Sequence, residues 1–164
     1  MILSQRIAIA LTLVMTVIAP GLVANEALDA EVKAVYDNKL KELFLYFHQN
    51  PELSTMEHKT SARLADELTA LGYTVTRNVG GTGIVALLEN GEGPLVMFRA
   101  DMDGLPVEEK SRLAYASRAK QVDPNGNEVF VMHACGHDVH ITSGPSPFSS
   151  SATIPVPPTL RCTV

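Results

Sequence analysis

Along residues 26–48, EALDAEVKAVYDNKLKELFLYFH, apolar positions recur at three- and four-residue steps: Leu28, Val32, Val35, Tyr36, Leu40, Leu43, Phe44 and Phe47. That spacing predicts a helix with one apolar face. Asn50-Pro51 ends it, because proline lacks a donor and restricts the residue before it. STME at 54–57 fits a capping box, with Ser54 as the cap and Glu57 reaching back. A second helix then runs to Leu71, with Leu64, Leu68 and Leu71 on one face and Gly72 as its stop.

Beyond Gly72 the period changes. YTVTRNV at 73–79 alternates as a strand does, GGTG at 80–83 reads as a turn, and IVALLE at 84–89 reads as a second strand. NGEGP at 90–94 is a hairpin-type turn. LVMFRA at 95–100 is a continuous apolar run of the kind found in a buried strand. VDPNGNE at 122–128 is another turn and VFVM at 129–132 a short strand. Helices followed by several strands predict an α/β sheet covered by helices.

The two ends break this pattern. MILSQR carries one positive charge, and IAIALTLVMTVIA follows as an apolar run of signal-peptide length. Pro20 and Gly21 break that run, and LVA ending at Ala24 resembles a cleavage site. The run falls short of the ~20 residues a membrane span needs. Residues 1–24 are therefore expected to be a signal peptide, giving an exported (periplasmic or secreted) protein with no stable anchor after cleavage. From Ser143 the chain turns to SGPSPFSSSATIPVPPTL, holding five of the ten prolines, and Arg161 is the only charged residue of 143–164. By composition, 143–164 reads as a disordered or aberrant tail, which leaves 25–142 as the folded part of the chain.

The 164 residues carry a net charge of −5 and no Lys/Arg run, which argues against a nucleic-acid partner. Export would allow Cys135 and Cys162 to pair. Cys135, however, lies among ligand-type neighbours, which makes a structural disulfide the weaker reading.

Chemistry-bearing residues gather after the apolar strands, in RADMDGLPVEE at 99–109 and HACGHDVH at 133–140. Active sites of open α/β sheets collect there. Cys135 and His137 supply a thiolate and an imidazole that can bind a divalent ion, or span two if the sulfur bridges. Gly136 permits the tight backbone between them. Asp101 and Asp103 lie one pleat apart and face the same way if the strand continues to Pro106, and such carboxylates orient ligand histidines. Spacing alone leaves a buried cysteine with satisfied histidines as an equal reading. His48 and His58 read as solvated or helix-end residues, and Glu108 and Glu109 as a surface pair.

FRADMDGLPVEE and MHACGHDVH resemble the two signature stretches of the co-catalytic metallo-amidohydrolases of the aminoacylase and carboxypeptidase type, in the branch of hippurate hydrolase and indole-acetyl-amino-acid hydrolase. HQNPELSTMEHKTS at 48–61 resembles that branch's N-terminal stretch, so the resemblance covers roughly 30–142. It implies the N-terminal part of a zinc-peptidase-like α/β catalytic domain, a mixed sheet flanked by helices and incomplete. The complete family protein adds a lid or dimerisation domain, so a homo-oligomer is compatible with it. The resemblance also implies two divalent ions (zinc, or manganese, cobalt or nickel), with Cys135 and His137 as metal ligands, the cysteine bridging, and Asp103 held behind them. Asp101 stands where the wider superfamily has a histidine ligand. The reaction implied is amide hydrolysis of an N-acyl-amino acid by a metal-activated water, with a glutamate as base.

That glutamate, two further histidines and one carboxylate ligand come from later family segments and have no counterpart here. The expectation is therefore little or no activity for this chain alone. Two alternatives stand beside it: a thiol hydrolase using Cys135 with a nearby histidine, which no ordered Cys-His-Asn pattern supports, and a non-catalytic exported module that binds metal or a partner.

Overall fold

A computed structural model describes residues 26–89, 95–144 and 159–163. The expected signal peptide, the NGEGP turn and most of the expected tail lie outside the described residues.

The first expected helix forms as α1 (Glu26–Val35), a π-helical turn (Tyr36–Leu40) and α2 (Lys41–Gln49). The π turn widens the helix locally and shifts the phase of its apolar stripe. Val32 and Tyr36, expected on the buried face, are exposed, whereas Leu40, Leu43 and Phe47 are buried.

Helix α3 (His58–Ala70) stops as expected: Gly72 has φ +90°, and the Tyr73 N–H closes on the Leu68 carbonyl at 3.1 Å. Its start differs from the expected capping box. Ser54 makes no cap. Glu57 is buried and accepts hydrogen bonds from the Thr55 N–H at 2.9 Å and the Thr82 hydroxyl at 2.6 Å. The free N–H groups of Lys59 and Thr60 go instead to the Glu52 carboxylate, at 3.2 and 2.7 Å. A carboxylate suits a helix N-terminus by charge as well as by hydrogen bonding. The tight turn at Thr55 (φ +66°) moves the helix start past the reach of Ser54.

Strands β1 (Thr74–Val79), β2 (Gly83–Glu89), β3 (Leu95–Arg99) and β6 (Thr159–Thr163) form one mixed sheet in the order β1-β2-β6-β3. β1 and β2 are antiparallel, β6 is antiparallel to β2, and β3 is parallel to β6. β4 (Lys120–Val122) and β5 (Glu128–Phe130) form a separate hairpin around the 123–127 turn. Pattern reading missed β4, which is only three residues long. It also gave no regular structure to 159–163, where the proline-rich composition upstream outweighed a short TLRCT run. In the sheet that run pairs on both sides, with Cys162 opposite Ala86 and Phe98.

The expected buried strand LVMFRA is a correction. β3 is an outer strand of the described sheet; Met97 is 65% and Phe98 39% exposed, and Ala100, just past the strand, is buried. β3 also ends at Arg99, well short of Pro106. The core lies between the sheet and the helices, where Leu43, Phe47, Leu64, Leu68, Ile84, Ala86 and Ile141 pack together. Ile141 comes from α4 (His137–Ser143), which lies against α2. No helix among the described residues is long and apolar enough to cross a membrane.

Candidate metal site

Backbone pairing brings the two loop stretches together. Gly104 bridges to Leu53, and Leu105 bridges to Met132 with hydrogen bonds of 2.8 and 3.1 Å. Gly104 is required here for space. A Cβ built on it would stand 2.8 Å from Val131 Cγ1 and 2.9 Å from Pro51 Cβ, so only glycine lets the chains approach this closely.

Asp103 then faces the second stretch. Its carbonyl oxygen lies 3.0 Å from His137 Nδ1 and 3.2 Å from His133 Nδ1. A carbonyl only accepts, so both Nδ1 atoms carry hydrogen and both Nε2 atoms keep a lone pair when the rings are neutral. The Asp103 carboxylate adds a second contact to His137 Nδ1 at 2.9 Å. Gly136, in the left-handed region at φ +75°, turns the chain into α4, so that His137 opens the helix. Cys135 is exposed with a free thiol.

Asp103 and His137 thus meet, and Cys135 lies two residues away on the turn. Asp101 does not share their arrangement. β3 has ended before it, and it pairs with the guanidinium of Arg99 at 3.2 Å and closer. Among the described residues no group of three His, Cys, Asp or Glu side chains comes together to hold a metal. The donor set fits part of a metal's coordination: one soft thiolate, and one imidazole whose outward nitrogen is fixed by a carboxylate behind it.

His133 is buried, with Nε2 lacking a hydrogen-bond partner among the described residues. Burial pushes its imidazole below the usual histidine range, against the opposing pull of Asp138 and the Asp103 carbonyl.

Two residues read as peripheral, His48 and Glu109, prove central. His48 presents Nδ1 to Asp138 at 2.7 Å and Nε2 to Glu109 at 3.3 Å. The side chains of Asp138 and Glu109 are only 4% and 2% exposed, so each needs its partner. Glu109 also accepts from the Ser117 N–H and the Ser111 hydroxyl. Burial raises its carboxyl, but these hydrogen bonds and His48 outweigh it and hold Glu109 below its ordinary value. His48 does sit in the last turn of α2, as read, but it is not solvated, and the surface reading of Glu109 is likewise corrected. The available signal was that His48 opens the family-like stretch 48–61. His58 is exposed at the start of α3, as expected.

The described residues thus form an α/β unit in which Asp103 and His137 meet beside the exposed Cys135. No family model matches the chain. It is 41% identical over 97 residues to the hippurate hydrolase of Campylobacter jejuni, covering 58% of this chain and 23% of that protein. It is 41% identical over 118 residues to thermostable carboxypeptidase 2 of Saccharolobus solfataricus, covering 71% and 28%. The N-acetyl-L-cysteine deacetylase of Bacillus subtilis is 41% identical over 96 residues, covering 58% and 21%. Among solved structures it superposes on Bacillus subtilis YXEP, a dinuclear metal-binding peptidase of the M20 family, with a TM-score of 0.66 and 27% identity, over 80% of this chain and 35% of that one.

The chain is a homologue of these amidohydrolases and carboxypeptidases, and its fold is that of part of an M20 peptidase domain. It spans about a quarter of the length of the curated relatives it matches.

Proposed function

We propose that these residues form the first part of the metal site of an exported amidohydrolase that cleaves N-acyl-amino acids. Cys135 and His137 would hold divalent metal, two ions in the complete site, and zinc suits the thiolate. When bound, the ions supply a polarised carbonyl and a water of lowered pKa. The chain's own contribution is positional: Asp103 fixes the tautomer and direction of His137, and Gly136 sets the turn between the two donors. The carrying observation is the double contact of Asp103 on His137 Nδ1, beside an exposed free thiol. The names of two relatives, a hippurate hydrolase and an N-acetyl-L-cysteine deacetylase, support an N-acyl-amino acid as the substrate.

Catalytic zinc takes three protein ligands, and the described residues offer two. These 164 residues alone are therefore proposed to bind metal without turnover. Zinc titration of the purified full chain by calorimetry tests this. Cys135→Ser and His137→Ala are each expected to weaken binding by at least about tenfold, with no hydrolysis of N-acetyl-amino acids or hippurate above background. Unchanged zinc affinity in both variants overturns the site, and turnover by the chain overturns its inactivity. N-terminal sequencing of the exported product is expected to begin at Asn25. Retention of Met1 overturns the export reading.

A further inference from the structure

The His48 side chain touches both the helix that begins at His137 and the loop that carries Asp103. It projects from α2, 90 residues before Asp138 and 61 before Glu109. Asp138 directly follows His137 in the first turn of α4. Glu109 closes the loop that carries Asp103, and Ser117, which donates its N–H to Glu109, donates its hydroxyl to the Val131 carbonyl at 2.7 Å. The imidazole is held on its faces as well. Its centroid lies 5.4 Å from Phe44 and 5.3 Å from Tyr115, the latter edge-on. Three separate segments thus converge on one nearly buried ring, 13% exposed.

We propose that His48 is a positioning residue for metal binding: through Asp138 it fixes the first turn of α4, and with it the direction of His137. This rests on the reading of Cys135 and His137 as metal ligands. The Asp138 contact carries the effect, because 2.7 Å is a short hydrogen bond whereas 3.3 Å to Glu109 is at the long limit. Buried partners of a metal-site residue typically set metal affinity by 10–100-fold.

The test is cobalt(II) titration of the full chain, read by thiolate-to-cobalt charge-transfer absorption. His48→Leu is expected to weaken cobalt binding by about tenfold or more. His48→Asn keeps a nitrogen donor near Nδ1 and is expected to bind within about threefold of the parent, whereas His48→Gln, whose donor reaches toward Glu109, binds as weakly as the leucine variant. Phe44→Leu removes ring packing without removing a hydrogen bond and is expected to leave the affinity near the parent's. Equal binding by His48→Leu and the parent overturns the proposal, as does an asparagine variant no better than glutamine, or a Phe44→Leu loss equal to that of His48→Leu. If His48→Leu does not fold, the asparagine–glutamine comparison decides alone. Absence of the charge-transfer band in the parent chain would instead sink the metal site itself, a different result from an unchanged affinity in the variants.

Discussion

Strand β3 and the loop that continues from it are adjacent in sequence and opposite in environment. Met97 is largely and Phe98 partly open to solvent, while a little further on Met102 and Gly104 are buried. Asp138 and Ser117, polar side chains brought to the same loop from elsewhere, are buried too. What separates the regions is closure by partners. Around 101–109 the backbone is bridged to Leu53 and Met132, and the carboxylates of Glu109 and Asp138 are met by N–H and O–H donors. β3 pairs through its backbone with β6, but Met97 is left 65% and Phe98 39% exposed. Apolar sequence makes burial favourable; a second surface has to be present for it to happen.

The sharpest way to break this comparison is in the shared core. Phe47 is fully buried one residue before His48, so it supports both the sheet and the site. Phe47→Ala should cost about 3–5 kcal/mol, from lost transfer energy and the cavity left behind. Urea unfolding of the full chain checks it. A loss under about 1 kcal/mol would mean that α2 is not packed on the sheet as described.

The next effect separates polar closure from apolar burial. Glu109→Gln keeps the shape but replaces an acceptor-only group, leaving some of the donors from Ser111, Ser117 and His48 mismatched. The expected cost is about 1–2 kcal/mol at neutral pH. Its sign with pH follows from the lowered carboxyl. A carboxylate whose folded value lies below its unfolded value stabilises fully above the unfolded value, and that contribution fades as pH falls through the folded one. The gap between parent and variant should therefore be full well above the ordinary value of 4.5 and shrink at more acid pH. A gap that stays constant on acidification would remove Glu109 as the source.

Much of this arrangement was legible in the residues. The apolar period of 26–48, Gly72 after a helical face, and Cys135, His137 and Asp103 in ordered stretches each follow from local rules or from a motif that resembles a family. Most of what was missed depends on distant partners. His48 looks like any helix-end histidine until Asp138 and Glu109 arrive from 90 and 61 residues away. Glu109 beside Glu108 looks like a solvated pair; one side chain turns inward while the other stays half open at 51% exposure. The capping box failed for a nearer reason. Glu57 had a better-placed donor in Thr82, 25 residues on, and Glu52 took over the helix end.

The smallest expected effect lies on β3. Met97 is 65% exposed, so Met97→Ser removes little buried surface and should shift stability by less than about 0.5 kcal/mol. The same substitution removes exposed apolar surface from β3, so binding of a hydrophobic dye such as ANS to the folded chain should fall. The two readings together sharpen the contrast with Phe47. A large stability loss at Met97 would mean that another surface covers β3 in solution, and the face would then belong with the core. Unchanged stability with reduced dye binding would identify it as open apolar surface on an otherwise closed α/β unit.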